Sequence, residues 1–207
     1  MVVGVFALQG DFAKHGEAFR RAGAEVREVR TGADFEAIDA LSLPGGESTT
    51  MLRLLDVTGL RSRLEAFVAG RPVFATCAGA ILLGRGGERL PKPPLAVLDL
   101  DVARNAYGRQ VDSFEADLET PVLGKGARFR GVFIRAPRFT RVGPGLEVVA
   151  RHGNEPVGVR QGSIVALAFH PELVPDERFH RWFLNEVAAP ALAAERNEHA
   201  GRAEGAR

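Results

Sequence analysis

Short apolar runs alternate with helix-like segments through the first eighty residues of the chain. Residues 2–8 are almost continuously apolar, which is the pattern of a strand buried on both faces of a parallel sheet. Similar runs predict strands over residues 40–43 and 72–76, and another strand is predicted over residues 26–29, where the alternation of apolar and polar residues is poor. Because strands that alternate with helices form right-handed crossovers, this half of the chain predicts an α/β fold with a parallel sheet covered by helices.

The intervening helices are predicted from apolar residues at helical spacing. The first helix has these positions at Phe12, His15, Phe19 and Ala22, and the second has them at Leu60, Leu64, Phe67 and Val68. Gly23 and Gly70 follow the two segments, as glycine commonly does where a helix ends. A third helix is predicted to begin in the apolar segment 80–83.

Past residue 90 the pattern changes to one of alternating polar and apolar residues. Segments 98–102 and 114–118 have this period of two, which predicts antiparallel strands with one exposed face. Further short strands are predicted over residues 129–134, 146–150, 157–160 and 163–169. A C-terminal helix is predicted from Phe179, Phe183 and Val187, with Asp176 as its N-cap.

We expect residues 1–190 to form a single domain, because no linker or internal repeat divides them. Residues 193–207 are mostly small or charged, and we expect residues 191–207 to form a frayed or disordered tail. The chain has 27 Lys and Arg against 26 Asp and Glu, so it lacks the strongly basic balance typical of nucleic-acid-binding proteins. No apolar run approaches the roughly 20 residues that span a bilayer. Residues 1–11 lack the basic start of a secretory signal, and a single cysteine cannot form an internal disulfide. We therefore expect a cytoplasmic protein that binds neither nucleic acid nor membrane.

Three unusual clusters follow predicted strands, although they are far apart in the sequence. They are Pro44-Gly45-Gly46-Glu47-Ser48, Thr76-Cys77-Ala78-Gly79 and His170-Pro171-Glu172. Ligands of open α/β sheets bind outside the carboxyl ends of the strands, so the three clusters are candidates for one shared site.

Cys77 lies between a predicted strand and a predicted helix, which is the setting of a nucleophile elbow. Ala75 and Gly79 are small, as a tight turn of this kind requires. A helix N-terminus would also favour the thiolate, which is the reactive form of cysteine. The alternative is a buried, unreactive core cysteine, and position alone does not decide between the two.

His170 and Glu172 favour the reactive alternative. Side chains two residues apart in an extended segment point to the same side, so the Glu172 carboxylate can hold the imidazole at Nδ1 and leave Nε2 for Cys77. Pro171 biases His170 toward an extended backbone. A non-catalytic alternative remains, in which His170 only marks the end of a strand and Glu172 is exposed to solvent.

Two glycines could supply the third part of a catalytic site. Acyl transfer through a thioester places negative charge on an oxygen, which backbone N–H groups near Gly45 and Gly46, together with that of Ala78, could stabilise. The segment is not a P-loop, because no Gly-Lys-Ser/Thr follows it. Zinc is disfavoured, because the five histidines are scattered around one cysteine.

With these residues assembled, the chain resembles the class I (triad) glutamine amidotransferases, and more narrowly the glutaminase subunits of two-component pyridoxal phosphate synthases. The resemblance spans about residues 2–187. Its segments are Ala7-Leu8-Gln9-Gly10, Leu43-Pro44-Gly45-Gly46-Glu47-Ser48-Thr49-Thr50, Thr76-Cys77-Ala78-Gly79, Arg104-Asn105-Ala106-Tyr107-Gly108-Arg109-Gln110, Phe133-Ile134-Arg135-Ala136-Pro137 and Ala168-Phe169-His170-Pro171-Glu172.

The resemblance implies a three-layer α/β fold, with a mostly parallel central sheet flanked by helices and added antiparallel strands in the second half. It also implies that L-glutamine is hydrolysed to L-glutamate and ammonia without a cofactor or metal. The ammonia would pass to a pyridoxal phosphate synthase subunit in a hetero-oligomer. By motif, Cys77 is the nucleophile, His170 the base and then the acid, and Glu172 the residue that orients it, with Gly46 and Ala78 as the oxyanion hole. The implied glutamine-binding residues are Gly46, Glu47, Ser48, Arg104, Ile134 and Arg135.

Two other functions are weighed against this one. Cysteine hydrolases and stress proteins of the ThiJ/PfpI type share the sheet and the elbow, but they commonly place histidine directly after the cysteine, where this chain has Ala78. A non-catalytic glutamine sensor is the other alternative, and the presence of all three triad candidates argues against it.

Overall fold

The computed structural model describes residues 1–85, 90–104 and 113–204 of the 207-residue chain. Within them, nine strands form one sheet, with bounds β1 (Val2–Phe6), β2 (Glu25–Val29), β3 (Ala40–Leu43), β4 (Val73–Thr76), β6 (Ser113–Glu119), β7 (Arg128–Ile134), β9 (Glu147–His152), β10 (Glu155–Gln161) and β11 (Ile164–Leu167). Two more strands, β5 (Leu100–Ala103) and β8 (Arg138–Val142), pair with each other in a separate antiparallel ribbon.

The order of strands across the sheet is β2-β1-β3-β4-β11-β10-β9-β6-β7. The first five are mutually parallel, and the last four are added by antiparallel pairing. The central parallel strands β3 and β4 are buried along their whole length, whereas β6 alternates between more exposed and less exposed positions. The predicted α/β class, with a parallel first half and antiparallel additions, is confirmed.

Helices flank the sheet. Their bounds are α1 (Phe12–Arg21), α2 (Ser48–Val57), α3 (Arg61–Val68), α4 (Ala78–Leu83), α5 (Arg178–Trp182) and α6 (Ala189–Glu204). Helix α1 contacts β1, β2 and α5, whereas α4 contacts α2, β3, β4 and β11. In the described part of the chain, no helix combines the length and apolar character needed to cross a bilayer.

Helix α2 and strand β8 were not predicted from the sequence pattern. Helix α2 opens with Ser-Thr-Thr, residues of modest helix propensity that resemble a continuation of the glycine loop. It is stabilised by burial of Met51, Leu52 and Leu55 on one face. Strand β8 buries one residue, Phe139, and it lies between a proline and a glycine, so its local pattern is weak.

The C-terminal region differs from the prediction in two respects. Helix α5 begins at Arg178 rather than directly after Asp176, whose carboxylate accepts a hydrogen bond from the Arg178 N–H at 3.1 Å. Beyond a π-helical turn over Phe183–Ala188, helix α6 continues to Glu204, where a frayed tail was expected from residue 191. Alanine is the strongest helix former and recurs through this segment, which explains the extension. Residues 205–207, and Asn105–Gln110 of the resembling segments, lie outside the described residues.

Candidate functional site

The three predicted clusters follow the ends of three neighbouring strands. Strand β4 lies between β3 and β11, with Ala75 in register with Leu43 and Thr76 in register with Leu167. All three strands are parallel, so the residues that follow them emerge at the same edge of the sheet. Strand pairing therefore brings the glycine loop, the cysteine turn and the His-Pro-Glu turn together.

Cys77 forms a strained turn between β4 and α4. Its backbone has φ 47° and ψ −106°, an uncommon conformation for a residue with a side chain. The Cys77 N–H donates to the carbonyl of Leu167 at 2.8 Å, and the Cys77 carbonyl accepts from Ile81 at 3.2 Å. A Cβ at Gly79 would lie 2.4 Å from the carbonyl oxygen of Leu43, so only glycine lets α4 start this close to β3.

Gly45 lies directly against the thiol and imidazole side chains. A Cβ on Gly45 would be 2.3 Å from Cε1 of His170 and 3.3 Å from Cβ of Cys77. The same loop is fixed from the other side, because the N–H of Glu47 donates to Oε1 of Gln9 at 3.0 Å. The absence of a side chain at Gly45 thus leaves room for His170 beside the cysteine.

His170 is paired with the carboxylate predicted for it. Nδ1 of His170 lies 2.6 Å from Oε1 of Glu172, whose side chain is fully buried. The backbone N–H of His170 donates to the carbonyl of Val132 at 2.8 Å, which anchors the turn to strand β7. Pro171 begins a short 3-10 turn that carries the carboxylate behind the ring.

His170 and Glu172 shift each other's pKa. Burial opposes the charged imidazolium, but hydrogen bonds with Cys77 and Glu172 raise the pKa of His170 to about 10. Burial likewise opposes the carboxylate, but His15 and His170 hold the pKa of Glu172 well below its usual range. The arrangement therefore favours a charged imidazolium in contact with a buried carboxylate.

His15 is a polar member of this cluster that sequence reasoning assigned to the apolar face of α1. Its Nε2 lies 3.2 Å from Oε1 of Glu172 and 3.0 Å from Oγ1 of Thr76. Its Nδ1 lies 3.3 Å from Oγ of Ser42. The only sequence signal was a histidine among buried apolar positions, where a polar ring needs hydrogen-bond partners.

A pocket of about 220 Å³ opens in front of Cys77 and His170. Its lining is Asp11, Gly45, Gly46, Glu47, Ser48, Cys77, Ile81, Arg104, Ile134, Arg135, His170 and Leu173. All six residues implied to bind glutamine line it, whereas Glu172 lies behind His170 and Ala78 is buried at the start of α4. Asp11, Ile81 and Leu173 were not singled out from the sequence. Sites for drug-sized ligands are usually larger, about 300–1,000 Å³, so this volume suits a ligand the size of an amino acid.

The charged side chains of Glu47, Arg104 and Arg135 line the pocket. Glu47 is the N-cap of α2, and its carboxylate accepts hydrogen bonds from the backbone and hydroxyl groups of Thr49 and Thr50. Partial burial opposes ionisation, but these hydrogen bonds lower the pKa of Glu47 to about 2. Arg104 approaches the same carboxylate at 3.3 Å. Arg135 has a positive φ of 42°, so a second strained residue borders the pocket.

A wider groove of about 500 Å³ lies elsewhere, lined by Met1, Asp39, Arg71, Leu192, Glu195 and Arg196. Met1, Asp39 and Arg71 precede β1, β3 and β4, so the groove lies at the amino ends of these strands. Cys77 is at the opposite, carboxyl end. Neither a thiol nor an imidazole is among the described residues that line the groove, and the smaller pocket is therefore the candidate active site.

Comparison with known proteins gives concordant matches. The model of the SNO glutamine amidotransferase family matches residues 5–189. The pyridoxal 5'-phosphate synthase subunit PdxT of Thermus thermophilus is 54% identical over 188 residues, which cover 88% of this chain and 96% of the relative. The Deinococcus radiodurans protein of the same name is 52% identical, with 89% and 96% covered. A crystal structure described as a glutamine amidotransferase superposes with a TM-score of 0.85 at 51% identity, covering 91% of this chain and all of the other.

Proposed function

The chain belongs to the SNO glutamine amidotransferase family, and from this premise we propose that it is the glutaminase subunit of a two-component pyridoxal 5'-phosphate synthase, with a Cys77–His170–Glu172 triad. The enzyme is an amidohydrolase that converts L-glutamine to L-glutamate and ammonia. One observation carries the triad proposal. Cys77 and His170 line the same small pocket, and the Glu172 carboxylate lies 2.6 Å from the far side of the imidazole.

The proposed reaction begins with the Cys77 proton already on Nε2 of His170, because Nδ1 is engaged by Glu172 and the raised pKa of His170 favours the imidazolium beside a Cys77 thiolate. The thiolate attacks the side-chain amide carbon of glutamine. The negative charge that forms on the amide oxygen is stabilised by backbone N–H groups, for which we propose those of Gly46 and Ala78. His170 then gives its proton to the amide nitrogen, the C–N bond breaks, and ammonia leaves a thioester on Cys77.

Hydrolysis of the thioester completes the cycle. A water molecule enters the position left by ammonia and gives a proton to Nε2 of His170 as its oxygen attacks the thioester carbon. The C–S bond then breaks, glutamate is released, and the Cys77 thiolate is again paired with the His170 imidazolium. Glu172 remains ionised throughout, and its role is to hold the ring and stabilise the imidazolium.

We propose that the other end of glutamine is held by the charged side of the pocket. Arg104 and Arg135 are suited to the α-carboxylate, because a guanidinium forms strong, oriented hydrogen bonds with carboxylates. Backbone groups of Gly46 and Ser48 and the side chains of Glu47 and Ile134 complete the proposed binding surface. Since the Glu47 carboxylate already caps α2, its contribution includes holding the loop in place.

The proposed partner is a pyridoxal phosphate synthase subunit that receives ammonia in a hetero-oligomer. The basis is that the relatives with about 50% identity are themselves named as synthase subunits. We propose residues 1–190 as the catalytic domain, which agrees with the family match ending at residue 189. We also propose the cytoplasm as its compartment, because the free thiol of Cys77 must stay reduced.

Glutamate release from L-glutamine, measured with and without the synthase subunit, tests this function. We expect weak activity alone, stimulation by the synthase subunit, and no turnover in Cys77→Ala. Val57→Ala is the control, because Val57 is 84% exposed. It is the last residue of α2, whereas the pocket is lined by Ser48 at the start of that helix. A glutamine-like electrophile should add once to the wild-type chain, at Cys77, and not to Cys77→Ala. Full turnover by Cys77→Ala would refute the proposed nucleophile.

A further inference from the structure

His15 is a buried polar side chain behind the triad that none of the steps above uses. It lies on α1, and its side chain is fully inaccessible to solvent. Its contacts come from three other parts of the chain: Ser42 on β3, Thr76 on β4 and Glu172 after β11. A single ring therefore connects α1 to the three strand ends that carry the site.

The buried carboxylate of Glu172 has very few hydrogen-bond donors near it in the described part of the chain. Its Oε1 lies near two nitrogens, Nδ1 of His170 at 2.6 Å and Nε2 of His15 at 3.2 Å. Its Oε2 is buried without a hydrogen-bond partner among the described residues. Because burying a charged carboxylate is costly unless donors compensate, each of the two histidines matters for keeping Glu172 ionised.

The direction of the hydrogen bond from His15 follows from its partners. An ionised carboxylate can only accept, so the Nε2 that faces Glu172 at 3.2 Å carries the hydrogen, which it shares between Glu172 and Oγ1 of Thr76 at 3.0 Å. The Ser42 hydroxyl can donate to Nδ1 or accept from it, and it therefore satisfies the other side of the ring. The ring is held on both sides and presents a donor to Glu172.

From this geometry, and resting on the proposed glutaminase function, we propose that His15 is a positioning residue of the reaction. By donating from Nε2 it holds the Glu172 carboxylate where that carboxylate aligns His170 with Cys77. His15 does not line the pocket, so it contacts neither glutamine nor the reacting atoms. Its effect on the reaction passes through Glu172.

The electrostatics of the cluster agree with this role. Burial by itself raises the pKa of Glu172, and interaction with His15 and His170 reverses that effect. The other titratable ring that faces His15 is His180 on α5, with ring centroids 6.4 Å apart. Burial lowers the pKa of His180 to about 3, so that ring is uncharged near neutral pH. Loss of His15 should therefore raise the pKa of Glu172 and make the triad more sensitive to acid.

Two substitutions of similar polarity separate positioning from simple packing. The amide nitrogen of glutamine can approximate the place of Nε2, so His15→Gln can retain the donor to Glu172. The shorter side chain in His15→Asn approximates Nδ1, so it can retain the Ser42 contact but not the donor. Packing alone would make the two variants similarly defective in stability, with no distinct effect on catalysis.

We expect His15→Asn to lower kcat about 10- to 100-fold, which is the range for losing a hydrogen bond to a charged group. KM should stay within about threefold, because His15 is outside the pocket. In the pH profile of kcat, the fall in kcat at acid pH should begin closer to neutral pH than in the wild type. His15→Gln should recover most of kcat and the wild-type pH profile. The assay uses the full chain with its synthase subunit, and circular dichroism checks that each variant is folded.

Equal kcat values in folded His15→Asn and His15→Gln, or an unmoved acid limb in both, would overturn the positioning role. Absence of glutaminase activity in the wild-type complex would instead refute the proposed function. If His15→Asn does not fold, NMR of wild-type and Glu172→Gln chains with ¹⁵N-labelled histidine decides the matter. The ring signals of His15 and His170 should both shift in Glu172→Gln, and an unmoved His15 signal would overturn the proposal.

Discussion

Nδ1 of His170 lies 2.6 Å from Oε1 of Glu172, and the Glu172 side chain is fully buried. Glu172→Gln keeps the shape of this side chain but removes its charge. The amide can present an N–H toward Nδ1, which would favour the wrong tautomer of His170. We therefore expect kcat for glutamine hydrolysis to fall by about 10²- to 10⁴-fold, with a much smaller change in KM.

The control for Glu172→Gln is Glu36→Gln, because the Glu36 side chain is 74% exposed and pairs with Arg63 at the surface. Glu36→Gln should retain wild-type kcat. Steady-state glutamate release in the presence of the synthase subunit provides the measurement. A Glu172→Gln variant within threefold of the wild-type kcat would show that the carboxylate does not support His170.

Gly45 is predicted to be intolerant of even the smallest side chain. A Cβ on Gly45 would be 2.3 Å from Cε1 and 3.1 Å from Nδ1 of His170, so Gly45→Ala must displace the imidazole or the loop. We expect a loss of kcat of at least about 100-fold, because small displacements of reacting groups have effects of this size. The rate at which a glutamine-like electrophile modifies Cys77 should fall as well.

Gly70→Ala is a matched control for this substitution, since a Cβ built on Gly70 has no described atom within 4 Å other than those of the adjacent backbone. It should leave kcat and electrophile labelling unchanged. If Gly45→Ala retained wild-type values for both, the close approach of Gly45 to His170 would have no consequence for the reaction.

Local sequence patterns predict the central fold well, because the parallel strands are short apolar runs with clear ends. The strand predicted over 40–43 has the bounds found for β3, and the fourth strand differs by one residue at its start. Helix α2 was missed because its threonine-rich start resembles a loop, while its stability comes from packing of the apolar side chains that follow. The end of the C-terminal helix was also missed, because no glycine or proline after residue 191 stops the helix before Gly201.

The candidate site was predictable to the extent that its residues follow strand ends. Cys77, His170 and the glycine loop are separated in sequence, but parallel pairing of β3, β4 and β11 brings them to one edge. His15 was not predictable in this way. Its partner Glu172 is 157 positions away, and nothing in the local helix pattern distinguishes a buried hydrogen-bonded histidine from an apolar contact.

Phe74 is expected to be a major contributor to the stability of the protein. It is fully buried on β4, with ring centroids 5.5 Å from Phe19 and 5.2 Å from Phe183. Phe74→Ala should lower the free energy of unfolding by about 3–5 kcal/mol, because the substitution leaves a cavity that the surroundings fill only in part. Denaturant titration provides the measurement.

The comparison for Phe74→Ala is Val57→Ala, an exposed position at which the expected change is within about 0.5 kcal/mol. Equal denaturant concentrations at the unfolding midpoint for the two variants would contradict the assignment of Phe74 to the central core. A change in the slope of the denaturant dependence would indicate an altered unfolded state instead, and the slope must therefore be compared as well.

His180 should make the protein less stable in acid. The ring is fully buried, with centroids 4.9 Å from Phe19 and 5.3 Å from Phe74, and neither ring nitrogen has a hydrogen-bond partner among the described residues. Burial lowers the pKa of His180 from 6.5 to about 3. Between these values the unfolded chain binds a proton that the folded chain does not, so stability is lost as pH falls from about 6.5 toward 3, at up to about 1.4 kcal/mol per pH unit. His180→Phe removes this titration, and its free energy of unfolding should exceed the wild-type value by a margin that grows as pH falls from 7 to 4. Urea titrations at each pH provide the measurement, and a margin that stayed constant over this range would exclude His180 as the source of acid sensitivity.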